Sequence, residues 1–379
     1  MELSTSFSID PSEPWVAAHN AEARAVMEAF GAGRPVRVPV LCGEWRGQHG
    51  FYAEEIGLDY REYYTDPEVM LRVQLEAARR RRELPIYDLV LGEAPERWSG
   101  VGVDLWPVVG PGWVGCPLVY REHAVIAHQG LKLSREECDA LPMPDPRTGG
   151  LLATVQRFFQ QLRARYEGTL TFLGRPVGPL DPGVGTNGFF SLALDLRGEA
   201  LMADMYEAPA FAHRFLRKIG SWAQELQAAW GRPRGLEIGD HGIDMLSPWV
   251  YEEFIVPVLR EANGEGWGPV DLHHCGRGAH LFPVIKKHFG LRGINALTFP
   301  LVDIAKVRRD LGEEVEINAI IEEGVLQQGP PERLREVVRE LMGAKGRGGL
   351  SLSAGDMLRG IPLAHRVAVY EAVKEYGRY

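Results

Sequence analysis

The sequence is poor in cysteine. Its 379 residues include four cysteines, and none of them forms a CxxC pair. In a chain of this length, such spacing argues against a disulfide framework and favours a reducing compartment. The cysteines are Cys42, Cys116, Cys138 and Cys275.

Long apolar runs are also missing. No stretch approaches the roughly 18–20 continuous apolar residues of a membrane span. Residues 1–14 are polar and acidic and lack the apolar segment of a signal peptide. We therefore expect a cytoplasmic protein that does not enter a membrane.

The chain has no excess of positive charge. Its formal net charge is −9, so a nucleic-acid partner is not expected. The basic run 79–82 ends a predicted helix, where cations complement the helix dipole. No G-x-G-x-x-G or Walker loop follows any predicted strand, which disfavours the alternative of an open doubly wound sheet.

Short apolar runs alternate with helical segments along the chain. Asp66 caps one such helix and Pro67 occupies its first turn. About eight strand–helix units predict an α/β fold, a single (β/α)8 TIM barrel. The predicted strands are 36–42, 87–91, 169–173, 236–239, 270–274, 293–297, 315–320 and 350–353.

Two segments lie outside the regular alternation. Residues 1–34 are predicted to form an N-terminal helical extension, and residues 35–379 the barrel. A hairpin-rich insertion is expected at about 100–150, where Gly110, Gly112 and Gly115 supply turns.

Polar side chains gather after the first two predicted strands. In such barrels the functional groups lie at the carboxyl ends of the strands. Charged and aromatic side chains interleaved there suit a polar, planar or anionic substrate; a solvated loop is the alternative. The candidate substrate-binding residues are Glu44, Trp45, Arg46, His49 and Glu93.

The sharpest feature is the H-x-C pattern at the end of the fifth predicted strand. Because side chains alternate between the faces of a strand, His273 and Cys275 should point the same way and His274 the opposite way. Imidazole and thiolate together suit zinc. The alternative is that Cys275 packs as a small hydrophobe and His273 forms a hydrogen bond.

Asp240 and His241 follow the fourth predicted strand. They could act as a catalytic acid/base pair or anchor a substrate. Alternatively they belong to a helix-capping loop, because Ser247 and Pro248 begin a helix shortly afterwards.

Several longer stretches resemble the uroporphyrinogen decarboxylase superfamily, from about Pro35 onward and most weakly in the insertion. The resemblance implies a TIM barrel. The matching stretches are YREYYTDPE (60–68), LSPWVYEEF (246–254), HHCG (273–276), GPPE (329–332) and EAVKEYGRY (371–379).

The superfamily contains two kinds of chemistry. True uroporphyrinogen decarboxylases carry an R-Q-A-G-R-Y motif and use no cofactor; residues 43–49, GEWRGQH, stand in its place here. In the cobamide-dependent methyltransferases, H-x-C and a later cysteine bind zinc, which holds an accepting thiol as the thiolate. This resemblance implies that His273 and Cys275 are metal ligands.

The third ligand departs from that pattern, because no cysteine follows Cys275. A carboxylate also binds zinc, so Asp356, near the place of the late cysteine, is the first choice. Asp240 or His241 is the alternative.

The resulting expectation is a zinc-dependent methyltransferase with a small-molecule substrate and a corrinoid methyl donor, free or carried by a corrinoid protein. A homodimer is a further expected assembly. One alternative is a metal-free decarboxylase or lyase acting on a porphyrinogen or another acidic substrate. The other is a non-catalytic ligand-binding barrel.

Overall fold

The structure, a computed structural model, describes residues 2–43, 47, 49–264, 266–353, 355 and 357–379. The chain divides into two compact units. Unit 1 comprises Met1–Gly102, Leu162–Asp181 and Gly293–Tyr379. Unit 2 comprises Val103–Gln161 and Pro182–Arg292. The boundary between an extension and a barrel at residues 34 and 35 stays a prediction.

Strands and helices follow one another along most of the chain. The strands are β1 (Val40–Leu41), β2 (Leu118–Val119), β3 (Ala127–His128), β4 (Thr171–Phe172), β5 (Arg175–Pro176), β6 (Val270–His273), β7 (Leu291–Phe299), β8 (Glu316–Ile321) and β9 (Leu350–Ser353). The helices are α1 (Pro14–Gly31), α2 (Tyr60–Thr65), α3 (Pro67–Arg81), α4 (Val109–Trp113), α5 (Arg135–Ala140), α6 (Leu152–Tyr166), α7 (Phe189–Arg197), α8 (Ala200–Glu207), α9 (Pro209–Ala229), α10 (Pro248–Val250), α11 (Val256–Asn263), α12 (Phe282–Phe289), α13 (Ile304–Leu311), α14 (Glu323–Gln328), α15 (Pro331–Met342) and α16 (Leu363–Tyr376).

A parallel sheet forms the centre of unit 1. Strand β9 pairs with both β1 and β8, and β8 also pairs with β7, each in parallel. Val40, Leu352 and Ala319 on neighbouring strands are all buried, as expected for a parallel sheet covered on both faces. The predicted α/β fold with a parallel sheet is thereby confirmed, whereas closure into an eight-stranded barrel stays a prediction.

The first predicted strand is anchored by side chains. The Asp88 carboxylate accepts the backbone N–H of Val40 at 2.7 Å and the Arg37 guanidinium at 2.8 and 2.6 Å. The Tyr370 hydroxyl also donates to it at 3.0 Å. Residues 87–91 form no regular strand, contrary to the prediction. The Asp88 N–H does donate to the Val40 carbonyl at 2.8 Å, but the Val40 N–H goes to the Asp88 carboxylate instead of to a backbone carbonyl.

Two further predicted strands differ from expectation. Residues 169–173 contribute β4 to a short antiparallel hairpin with β5. Residues 236–239 form no regular strand, although the backbone N–H of His273 donates to the Ile238 carbonyl at 3.3 Å. Asn263 bonds both backbone polar groups of Leu236, at 2.9 and 3.0 Å, so a side chain fixes the start of this segment.

Unit 2 is built largely from helices around α9. This helix buries apolar side chains at a spacing of three and four residues, which places them on one face. The helix predicted to start at Ser247 does so, since Ser247 Oγ accepts the Val250 N–H at 3.3 Å. A π-helical turn, Tyr251–Ile255, precedes Pro257, whose missing N–H prevents a regular α-helical bond.

The predicted insertion contains a β2–β3 hairpin flanked by the short helices α4 and α5. Within the described part of the chain, no helix is both long enough and apolar enough to cross a membrane.

Candidate functional site

The end of β6 presents side chains alternately to two environments. Leu272 and His274 are buried, His273 is exposed and Cys275 is half-buried. This confirms the expected alternation: a strand period of two residues turns His273 and Cys275 away from the packed side.

His274 organises the loop that follows β6. Its Nε2 accepts the backbone N–H of Gly278 at 2.9 Å, and its ring meets Phe282 edge-on at a centroid distance of 6.0 Å. A Cβ atom at Gly278 would lie 2.4 Å from that Nε2, so only glycine permits the contact. Burial lowers the pKa of His274, which keeps its imidazole neutral. The loop carrying Cys275 is therefore wrapped tightly around a buried ring.

His241 also contacts Cys275. Its Nδ1 lies 3.3 Å from Cys275 Sγ, and its ring stands nearly perpendicular to that of His273 at a centroid distance of 5.5 Å. Ligand atoms of His241, His273 and Cys275 all lie within 4.8 Å of one another. Three side chains of unit 2 that could ligate a metal thus converge on one point.

Electrostatics favour the neutral forms of His241 and Cys275. Burial, and then the neighbouring His273 and His274, hold the pKa of His241 at about 4. Burial also raises the pKa of Cys275, and the Asp244 carboxylate adds to that rise. A neutral imidazole offers its lone pair to a metal, and a divalent cation would favour the thiolate form of a neighbouring cysteine.

The donor set fits zinc. Tetrahedral zinc with nitrogen ligands at about 2.0–2.1 Å and sulfur at about 2.3 Å places ligand atoms roughly 3.3–3.6 Å apart. The 3.3 Å between His241 Nδ1 and Cys275 Sγ is close to the roughly 3.5 Å expected for the nitrogen–sulfur pair of such a site. Two imidazoles and a thiolate leave the fourth position of a catalytic zinc site for a substrate.

Asp240, next to His241, has a different set of partners. Its carboxylate accepts the backbone N–H groups of Phe190 and Ser191 at 2.8 and 3.0 Å, and the Ser191 hydroxyl at 2.5 Å. It therefore caps the N-terminus of α7, close to Gly188, where a Cβ atom would lie 2.3 Å from Asp240 Oδ2. Burial raises the pKa of Asp240 to about 6 although these hydrogen bonds oppose the rise.

Two of the other predicted site residues, Glu93 and His49, belong to unit 1. Glu93 in unit 1 is exposed and pairs with Arg24 at 3.0 Å. His49 in unit 1 is buried, with its ring 4.4 Å from that of Tyr63. Glu44, Trp45, Arg46 and Asp356 lie outside the described residues, so their roles stay predictions.

Sequence reasoning missed Asp244, which lies three residues after His241. The backbone N–H of Arg277 is 3.5 Å from its Oδ2, and a Cβ atom at Gly276 would be 2.8 Å from the same oxygen. The signal that could have identified Asp244 was its place in the sequence HGID (241–244), which begins with the candidate ligand His241.

Comparison with known proteins supports a common origin for most of the chain. The family model described as uroporphyrinogen decarboxylase (URO-D) matches residues 108–376. A methylated-thiol–coenzyme M methyltransferase of Methanosarcina mazei is 27% identical over 233 residues, which are 60% of this chain and 59% of that protein. The alignment thus spans less than two thirds of that relative. A solved structure titled methyltransferase from Methanosarcina mazei superposes with a TM-score of 0.60 at 17% identity, covering 93% of this chain and 98% of the other.

Proposed function

The chain belongs to the uroporphyrinogen decarboxylase family, and from this premise we propose that it is a zinc-dependent methyltransferase with a corrinoid methyl donor. The observation that carries the proposal is the convergence of His241, His273 and Cys275 within 4.8 Å. The chain has a fold similar to that of a solved methyltransferase structure, with a TM-score of 0.60, and this similarity supports a TIM-barrel scaffold for the site.

His241, His273 and Cys275 would hold the zinc ion in this proposal. Zinc, when bound, supplies a positive charge that keeps a coordinated acceptor deprotonated and nucleophilic. His241 is thereby preferred to Asp356 as the third ligand. The preference rests on the 3.3 Å separation between His241 Nδ1 and Cys275 Sγ.

The remaining residues of the site position these ligands. His274 holds the Cys275 loop through its bond to Gly278, and Asp240 holds the backbone before His241 through its bonds to α7. We assign Asp240 this positioning role instead of acid catalysis, because its carboxylate oxygens are already engaged by helix N–H groups and the Ser191 hydroxyl. His241, the other residue of the predicted catalytic pair, becomes a ligand.

The acceptor is proposed to be a small thiol. The relative that is 27% identical is named for a methylated thiol and coenzyme M. In the proposed reaction, the acceptor sulfur would supply the electron pair of the new S–C bond, and the electron pair of the broken Co–C bond would stay on the corrinoid. Glu44, Trp45, Arg46, His49 and Glu93 remain proposed substrate contacts.

A direct test supplies methylcobalamin and coenzyme M or 2-mercaptoethanol to the zinc-loaded protein. We expect loss of the methylcobalamin absorbance with formation of the methyl thioether, and no reaction by Cys275→Ser. His213→Gln is the matched control, because His213 bonds Glu253 at 2.9 Å and is no member of the ligand cluster.

The alternatives give different results. A metal-free decarboxylase would lack zinc and release carbon dioxide from a porphyrinogen or another acidic substrate. A binding barrel would turn over neither kind of substrate. Either outcome would contradict the methyltransferase proposal.

A further inference from the structure

Asp244 brings a carboxylate to the proposed metal ligands without belonging to their cluster. It is part of the 3-10 turn His241–Met245, so one turn of backbone joins it to His241. Its Oδ2 is also close to the residue after Cys275, because a Cβ atom at Gly276 would lie 2.8 Å from that oxygen. Asp244 therefore lies beside two of the three proposed ligands.

The Asp244 carboxylate has unused capacity to accept hydrogen bonds. Within the described part of the chain, its one hydrogen bond comes from the backbone N–H of Arg277, at 3.5 Å. That distance is longer than the usual range for an N–H···O bond, and an ionised carboxylate offers about four lone-pair sites. Among the described residues, no guanidinium or ammonium group forms an ion pair with Asp244, whose side chain is half-buried. A ligand that reaches this carboxylate can supply the missing donors.

Two other aspartates near the ligands have their charge offset. Asp240 is buried, and its oxygens accept the N–H groups of Phe190 and Ser191 at the start of α7. Asp271, on β6, is exposed and accepts the Arg292 guanidinium at 3.0 Å. Asp244 differs from both, because neither a helix N-terminus nor a guanidinium engages it.

The charge of Asp244 acts on the place where an acceptor would bind. Burial is the main cause of the raised pKa of Cys275, and the Asp244 carboxylate adds to the rise. An acceptor sulfur in the fourth position of a tetrahedral zinc site would lie within roughly 4 Å of the Cys275 Sγ. The negative charge that acts on Cys275 would therefore act on the acceptor as well.

This arrangement favours one class of thiol, and the inference rests on the proposed methyltransferase function. We propose that the acceptor is an aminothiol, whose ammonium group pairs with Asp244 while its sulfur occupies the fourth metal position. An ammonium group supplies three N–H donors, and a charge-assisted hydrogen bond is stronger than a neutral one. A thiol with an anionic tail, such as coenzyme M with its sulfonate, is disfavoured because like charges repel.

Three thiols of the same length isolate the charge of the tail. Cysteamine, 2-mercaptoethanol and coenzyme M each have two carbons between the sulfur and a cationic, neutral or anionic group. Binding to cobalt(II)-substituted protein is measured by the sulfur-to-cobalt charge-transfer absorbance, and methylation by zinc-loaded protein with methylcobalamin. We expect cysteamine to bind about tenfold or more tightly than coenzyme M, with 2-mercaptoethanol between them.

Asp244→Asn removes the charge and keeps the shape of the side chain. It should lower the ratio of cysteamine affinity to coenzyme M affinity by about tenfold, and 2-mercaptoethanol should still bind. Asp271→Asn is the matched control and should leave the ratio unchanged, because Asp271 lies on the strand that carries His273 but is paired with Arg292. A ratio unaltered by Asp244→Asn, or altered equally by the two variants, would overturn the proposal.

A salt titration of wild-type protein tests the same charge without a variant. Because salt screens charges that are open to solvent, cysteamine binding should weaken and coenzyme M binding should strengthen as ionic strength rises. If all three thiols are methylated with the same salt dependence, the role of Asp244 is wrong and the methyltransferase proposal stands. If none of the three binds or is methylated, the methyltransferase proposal itself fails.

Discussion

The Nδ1 atom of His241 lies 3.3 Å from the Sγ atom of Cys275, although the two residues are 34 positions apart in the chain. His241 follows residues 236–239, whose Ile238 carbonyl accepts a hydrogen bond from β6, and Cys275 follows β6 itself. A metal held by both would tie two successive loops together, so metal content reports directly on this geometry.

The first prediction is that each proposed ligand is needed for zinc binding. Wild-type protein should hold about one zinc per chain, and Cys275→Ser and His241→Ala should each lose most of it while remaining folded. Elemental analysis after gel filtration measures the stoichiometry. Cys42→Ser is the matched cysteine control and should keep its zinc, because Cys42 is not one of the three clustered ligands.

The same measurement decides between the two candidate third ligands. If His241→Ala retains zinc and Asp356→Ala loses it, the carboxylate is the ligand and His241 is not.

A second prediction concerns Asp240. Asp240→Ala should destabilise the protein by about 1–2 kcal/mol, because α7 loses its cap, and should weaken zinc binding at the same time. Asp66→Ala is the control: Asp66 caps α3 by accepting the N–H groups of Glu68 and Val69, so its loss should cost about 1 kcal/mol and leave zinc affinity unchanged. Denaturant unfolding and zinc titration give the two quantities. A variant that keeps full zinc affinity but loses all turnover would instead identify Asp240 as a proton-transfer group.

A third prediction concerns pH and the buried carboxylate of Asp204. Burial alone would raise the pKa of Asp204, but the Arg197 and Arg135 guanidiniums, which donate to it at 2.7 Å, outweigh burial and lower it. A lowered folded pKa stabilises the protein above the unfolded value of about 3.9, and this contribution is lost as pH falls further. Asp204→Asn should therefore cost about 2–4 kcal/mol at pH 7 and progressively less below about pH 4.

The exposed pair of Asp139 with Arg214 provides the comparison for that experiment. Their side chains are 45% and 58% exposed, so Asp139→Asn should change the free energy of unfolding much less than Asp204→Asn does. Equal losses for the two variants at pH 7, or a loss for Asp204→Asn that persists unchanged at pH 3, would show that the ion pair is not the cause.

A fourth prediction is negligible decarboxylation of uroporphyrinogen. The reason is that GEWRGQH, residues 43–49, stands where decarboxylases have R-Q-A-G-R-Y. Chromatography of the porphyrins after incubation measures coproporphyrinogen formation. Robust turnover would assign this chain to the decarboxylase branch and leave the His241–His273–Cys275 cluster without its proposed role.

The sequence predicted what depends on local geometry. The common orientation of His273 and Cys275 follows from strand alternation alone. By contrast, the sequence could not rank His241 above Asp356, because the choice depends on how separate strand ends meet in space. Asp240 illustrates the same limit: its partners Phe190 and Ser191 lie on a helix about fifty residues earlier. The Asp88 carboxylate likewise accepts the Val40 N–H in place of a strand partner. No periodic pattern in the sequence indicates that a side chain takes this role.

Gly188 lies so close to Asp240 that replacing it with alanine would disturb the proposed metal site. A methyl group at position 188 would meet Asp240 Oδ2 at 2.3 Å, push the carboxylate from its helix and release the backbone that carries His241. Gly188→Ala should therefore behave as a metal-binding mutation, although residue 188 is itself incapable of ligation. A natural variant with alanine at position 188 should therefore fail to bind the proposed metal even with His241, His273 and Cys275 intact.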